Sequence, residues 1–254
     1  MAREGYVVAC LARSKVDLDA LAAEHEHLHA VVADVTDAEG LEAAIDGVLD
    51  AHGPCVVLVN NAGYGLRAAV EEIPLDQFRR QMEVNVFSCV RLIQKVLPGM
   101  RAARNGCIVN VSSVAGRIAT PFSGAYCATK FGLEALSDAL RLEVKSLGIR
   151  VILIEPGPVK TNFVTAAAEV SDDILENPSS PYSKGYAGML AQLNQMHSGA
   201  WTTEAVVDVT MRAIQSPNPK ARYGTHDWLL TLAINLRKFS PGLLDYMLMR
   251  RMGL

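Results

Sequence analysis

The chain has 254 residues, 50% of them hydrophobic and 20% charged, an ordinary globular composition that excludes collagen-like, coiled-coil and disordered chains. With 24 Lys+Arg against 27 Asp+Glu the formal net charge is -3, so no basic excess exists to neutralise a phosphate backbone, which argues against a nucleic-acid partner. The cysteines Cys10, Cys55, Cys89, Cys107 and Cys127 form no CxxC pair and no metal-like spacing, which suits thiols serving as small core residues in a reducing, cytoplasmic compartment.

Along the chain, short β-branched runs alternate with longer amphipathic stretches, the pattern of an α/β fold with a doubly wound parallel sheet. Strands are predicted at 6–11, 28–32, 56–60, 107–111 and 150–155. They are nearly continuous apolar runs, as expected of strands covered on both faces. Helices are predicted at 18–27, 37–50, 75–100 and 126–147. Thr36 stands three residues before Glu39 and is expected to cap the second helix. Pro74 and Gly99 are expected to bracket the third. From 156 to 199 the chain is rich in Pro, Ser, Gly and Asn, and 158–200 is expected to form a substrate loop within a single domain spanning 1–254. A helix is predicted at 203–216, with further apolar helices after 217, so that 203–254 forms a helical extension. The longest apolar-rich stretch, 228–236, is interrupted by Thr231 and Asn235 and falls short of the ~20 residues that span a bilayer.

Polar and glycine signals recur where strands end, and in open parallel sheets ligands bind at the carboxyl ends of the strands. Asn60, Asn61, Ala62 and Gly63 follow the third predicted strand; Asn61 offers a donor and an acceptor, and Gly63 permits close backbone approach. Ser112 and Ser113 follow the fourth strand, Pro156 and Gly157 the fifth, and Asp34 and Val35 the second. Tyr126 and Lys130 are spaced i,i+4 at a helix start, on one face. A tyrosine titrates near pH ~10 and needs a nearby cation to trade protons near neutrality. Each signal alone has a bland reading: a turn for the Asn–Gly segment, a packed tyrosine with a solvated lysine for the pair. Their convergence on one sheet edge favours a catalytic site.

The segments VLVNNAG, MEVNVFS, GCIVNVSSVAG, AYCATKFGLEALSDALRLE and IEPGPVKT together resemble the short-chain dehydrogenase/reductase family over nearly the whole chain. The segment around Pro121–Phe122 and Tyr126–Cys127 is similar to its hydroxysteroid and retinol dehydrogenase-like branch. The resemblance implies hydride transfer between a nicotinamide cofactor and a lipophilic secondary alcohol or ketone. Tyr126 is then the general acid/base, Lys130 lowers its pKa and bonds the nicotinamide ribose, Ser113 polarises the carbonyl, and Asn85 supports a proton relay. Asn61, Ala62 and Gly63 line the cofactor, Asp34 and Val35 flank the adenine, and Pro156, Gly157, Val159 and Thr161 close around the carboxamide. NAD-preferring relatives place an acid after the second family strand, where this chain reads Leu11-Ala12-Arg13-Ser14. Arg13 suits a 2′-phosphate, which favours NADP over NAD.

The family opens with a strand and a glycine-rich turn, and residues 1–5 here lead straight into the second family strand. A natural start some ~30 residues upstream of Met1 is therefore expected, the size of a βα unit. Its strand would lie between 6–11 and 56–60. The competing expectation is a catalytically silent binding or dimerisation scaffold. His25, His27 and His29 read as a solvated boundary rather than a metal site. The apolar C-terminal stretch with Arg237, Lys238, Arg250 and Arg251 suits packing on the body or on a subunit of a homo-oligomer, a lid over a lipophilic substrate, or weak membrane-surface contact.

Overall fold

A computed structural model describes residues 1–163, 167, 170–196, 200–224 and 228–252. Among the described residues, six parallel strands form two sheets. β1 (Val8–Ala12) pairs with β2 (Leu28–Val32), and β3 (Val57–Asn60), β4 (Gly106–Val111), β5 (Ile149–Glu155) and β6 (Arg222–Gly224) follow one another in a second sheet. Register aligns Asn60 with Asn110 and Val111 with Ile154, so three strands end together at one edge. No hydrogen-bonded ladder joins β1 to β3 among the described residues.

The doubly wound layering follows from the two-residue period of a strand. Ile108, Ile149 and Val151 face α4 (Ser88–Ala103), packing with Val96, Met100 and Val144. Cys107, Val109, Ile152 and Ile154 face the other way, onto Ala213 and Ile214 of α8 (Thr203–Gln215). Each such side chain is worth about 1.5–3 kcal/mol when fully buried, so β4 and β5 anchor the fold. The expectation of strands covered on both faces holds there, whereas β1 and β2 alternate between half-buried and exposed. Met1 packs beside Val57 and Val59 on the α8 side.

Local chemistry explains where boundaries shift. α1 (Lys15–Ala22) is capped by Ser14, whose hydroxyl accepts from the Asp17 N–H. α2 (Ala38–His52) is capped by Asp37, not Thr36: Asp37 Oδ1 accepts from Gly40 N at 3.1 Å. Thr36 is engaged elsewhere, donating to Asp34 Oδ1 from its N–H at 2.9 Å and its hydroxyl at 2.8 Å. The predicted 75–100 helix is α3 (Leu75–Met82), a π-helical turn (Glu83–Phe87) and then α4. Gly99 lies inside α4, where a Cβ would come within 3.3 Å of Pro54. Arg104, at φ 47, ends that helix instead. α5 (Gly124–Glu143) precedes β5.

Beyond β5, α6 (Asp172–Leu175) and α7 (Ser183–Met196) lead to α8. β6 was not expected, being short and without an apolar run. Charge holds it: Arg222 meets Asp138 at 2.6 Å, Glu134 at 3.1 Å and Glu155 at 3.0 Å. α9 (Trp228–Phe239) and α10 (Pro241–Met252) complete the extension, and Arg237 Nη1 donates to Arg117 O at 2.8 Å. No helix among the described residues is long and apolar enough to cross a membrane. Parts of the expected 158–200 loop and 203–254 extension, at 164–166, 168–169, 197–199, 225–227 and 253–254, lie outside the described residues.

Glu134 is buried, and its desolvation together with the Glu155 charge pushes its carboxyl up to about 7, against the charge and hydrogen bond of Arg222. A carboxyl with a pKa raised in the fold favours folding fully below about 4.5 and loses that contribution as pH rises through about 7. Glu134→Gln is therefore expected to gain about 1–3 kcal/mol on the wild type between pH 5 and pH 8 in urea denaturation. Parallel pH profiles for the two proteins would contradict this.

Candidate active site

The shared carboxyl edge of β3, β4 and β5 carries the polar residues singled out above. β3 ends at Asn60, buried, with its Nδ2 donating to Asn110 Oδ1 at 2.8 Å. Asn110 in turn donates to Ser137 on α5 at 2.8 Å. This buried amide–hydroxyl chain ties two strands to the helix behind the site.

Lys130, on α5, is 5% exposed, and its Nζ donates to the Val111 carbonyl at 2.8 Å. Burial lowers its pKa to about 8, against the charges of Cys89 and Glu134. A Cβ on Gly63 would stand 3.7 Å from that ammonium and 3.2 Å from Asn85 Oδ1, so glycine keeps the space open. Asn85 is fully buried in the π-helical turn. Its Oδ1 accepts from Tyr64 N at 3.1 Å, while Nδ2 donates to Tyr64 O at 2.9 Å and to Thr129 Oγ1 at 3.1 Å. The π turn, which often marks functional positions, points the amide at the post-β3 loop and fixes that loop's path.

Tyr126 lies one turn before Lys130, with the ammonium 5.8 Å from its ring centroid. Burial raises the phenol pKa, while a hydrogen bond with Ser113 and the charge of Arg67 oppose the rise. Ser113 follows β4 and caps a short 3-10 turn, its Oγ accepting from Ala115 N at 3.1 Å. Asn85, Ser113, Tyr126 and Lys130 thus form one cluster, with Gly63 against it.

The other sequence-selected residues surround this cluster or sit apart from it. Asn61 and Ala62 are exposed just beyond β3. Pro156 is buried and its carbonyl accepts from Val114 N at 3.0 Å, joining the post-β5 and post-β4 segments. Gly157 is half-buried, Val159 bridges to Trp201, and Thr161 is exposed with its hydroxyl accepting from Phe163 N. Asp34 and Val35 are half-buried after β2. The Thr36 hydrogen bonds, with smaller help from the Arg13 and Arg80 charges, hold the Asp34 carboxyl below its usual range. Arg13 therefore shares the Asp34 neighbourhood, at the ends of the β1–β2 ladder.

Three residues near the cluster carry no sequence signal. Arg67 lies with its Cζ 5.7 Å from the Tyr126 ring centroid, and Phe163 has its ring centroid at the same 5.7 Å separation. The Arg80 charge acts on both Asp34 and Tyr64, between the two groups of selected residues. Their positions depend on loop paths that no local pattern encodes.

The residues present fit a nicotinamide cofactor at the cluster. Gly63 leaves unfilled the space a Cβ would take, and a buried ammonium with three N–H donors has one hydrogen bond, to Val111 O. Arg13 and the Asp34 region supply the charge and the carboxylate suited to an adenosine end.

A family model described as short chain dehydrogenase matches residues 1–171. A probable short-chain type dehydrogenase/reductase of Helicobacter pylori is 40% identical over 166 residues, covering 65% of this chain and 60% of the relative. The match thus spans less than two thirds of that protein's length. Human 17-beta-hydroxysteroid dehydrogenase type 1 is 32% identical over 228 residues, 89% of this chain and 69% of the relative. Among solved structures, a short-chain dehydrogenase from Streptomyces avermitilis superposes with a TM-score of 0.80 at 29% identity, covering 98% of this chain and 90% of that one. Motifs, parallel-sheet architecture and these likenesses agree: the chain belongs to the short-chain dehydrogenase/reductase family.

Proposed function

We propose that this protein transfers a hydride between NADP(H) and a lipophilic secondary alcohol or ketone, with Tyr126 as the proton-transfer group. The observation that carries the reading is the convergence of Ser113, Tyr126, Lys130 and Asn85 at one sheet edge, with the lysine buried beside the phenol.

In reduction, the Tyr126 hydroxyl gives its proton to the carbonyl oxygen, and Ser113 Oγ donates a hydrogen bond to the same oxygen as negative charge develops there. Lys130 binds the ribose through the donors that Val111 leaves free and stabilises the phenolate left after transfer. Asn85 holds the Tyr64 backbone and Thr129, which supports the path by which Tyr126 is reprotonated. Asn61, Ala62 and Gly63 line the cofactor, Asp34 and Val35 flank the adenine, and Pro156, Gly157, Val159 and Thr161 hold the carboxamide end. When bound, the nicotinamide supplies the hydride in reduction or accepts it in oxidation. Arg13 is exposed, with no acid in its own Leu11–Ser14 segment, and pairs with a 2′-phosphate, which favours NADP over NAD.

Two observations support a lipophilic substrate. An open cleft of ≈ 480 Å³ lies just ahead of α5, lined by Ala69, Val70, Glu71, Pro121, Phe122 and Tyr182. The resemblance to a hydroxysteroid dehydrogenase points the same way. α10 leaves Leu243, Tyr246 and Met247 exposed, a face suited to a second subunit or to weak contact with a membrane surface. A second reading, a catalytically silent binding or dimerisation scaffold, is favoured by the separation of the β1–β2 ladder from the main sheet.

Tyr126→Phe is expected to lower turnover of a model ketone by about 100-fold or more while leaving NADPH binding unchanged; absence of NADPH binding by the wild type would favour the scaffold. Arg13→Ala is expected to raise KM for NADPH by about tenfold and to leave KM for NADH unaltered. An equal change for both cofactors would remove Arg13 from 2′-phosphate recognition.

A further inference from the structure

Arg67 is a cation without a described counter-ion beside the reacting group. Its backbone is pinned on both sides: its N–H donates to Ser171 Oγ at 2.9 Å, and the next residue, Ala68, bridges to Ser123 and donates to Phe122 O at 3.0 Å. One guanidinium nitrogen, Nη1, donates to the Ser123 hydroxyl, whereas Nε is enclosed with no acceptor. A guanidinium stays charged and presents five N–H donors in a rigid fork. No carboxylate among the described residues forms an ion pair with it; the charged or titratable neighbours acting on it are Tyr126 and Cys127. Desolvation is the main influence on it and works against the charged form. Elsewhere in this chain a half-buried arginine gathers carboxylates, as Arg222 does with Glu134, Asp138 and Glu155. A sequestered guanidinium whose only side-chain partner is a hydroxyl is a poor structural solution and a good anion site.

We propose that Arg67 receives a carboxylate of the substrate, so that the preferred substrates are keto or hydroxy acids whose anionic group lies close to the reacting carbon. The inference rests on the assignment of Tyr126 as the proton-transfer group and adds a polar anchor to an otherwise lipophilic substrate. The 5.7 Å between Arg67 Cζ and the Tyr126 ring centroid places the anchor beside the reacting oxygen rather than at the far end of the ligand. Phe163, on the substrate-loop segment, stands at the phenol ring as well and offers an apolar surface to the rest of the molecule.

Two acid–ester pairs test this: benzoylformate and benzoylacetate, each against its ethyl ester. Binding is measured by calorimetry in the presence of NADP, on Tyr126→Phe protein so that no turnover intervenes. NADPH-dependent reduction is measured on the wild type. In at least one pair the acid is expected to bind more tightly than the ester, on the order of tenfold, and to show a higher kcat/KM by the same factor. Arg67→Met should abolish that preference, lowering acid kcat/KM about tenfold more than ester kcat/KM, and Arg67→Lys should restore part of it. Selective acid binding without turnover would sustain the anion site and overturn the hydride-transfer reading instead. Turnover with no acid preference in either pair would overturn the anion site and leave hydride transfer standing. Equal loss of acid and ester reduction in folded Arg67→Met would also overturn it, because Arg67 would then act through Tyr126.

Discussion

The arrangement of the site depends on placing one ammonium where water cannot reach it. Lys130 is nearly fully buried, and its described hydrogen bond goes to the Val111 carbonyl. Such a group is costly unless its surroundings are fixed, and several features of the chain serve that requirement. Gly63 has no side chain because a Cβ would press on Asn85 beside the ammonium. Asn85 is brought to that point by a π turn within a longer helix. The β3–β4–β5 register puts the Val111 carbonyl within reach of the helix that carries the lysine. In the proposed role, the same low hydration would let the cation act on the neighbouring phenol.

The sheet supplies rigidity unevenly. β4 and β5 are buried on both faces, and the Asn60–Asn110–Ser137 chain joins β3 and β4 to α5. The β1–β2 ladder, which carries Arg13 and Asp34, is half-exposed and shares no hydrogen bonds with the main sheet among the described residues. The proposed proton-transfer cluster therefore rests on the firmest part of the fold, and the residues proposed for the adenosine end rest on a less supported part. Cofactor affinity is the property most exposed to that difference.

Much of this was legible in the residues. β2 runs over the expected 28–32, and β3, β4 and β5 differ from expectation by one residue at their starts, because long apolar runs between turn signals leave few alternatives. Ser113, Tyr126, Lys130 and Asn85 could be listed because their spacing matches a specific motif set, and the structure gathers them. The rest depends on long-range geometry. β6 exists because Arg222 finds three carboxylates distant in sequence. Thr36 loses the cap to Asp37 because Asp34 captures it first. Arg67 reaches the phenol because Ala68 is stitched to the loop before α5, a contact that no local pattern announces.

Lys130 also offers the most direct measurement, since its proposed role requires it to be desolvated before any ligand arrives. Titration of the protein with ¹³Cε-labelled lysine, following the Lys130 resonance by NMR and assigning it with Lys130→Arg, reports its midpoint. A value of about 8 is expected, well below the ordinary 10.5. A midpoint at the ordinary value would place the ammonium in water and contradict the buried position on which the proposed role depends.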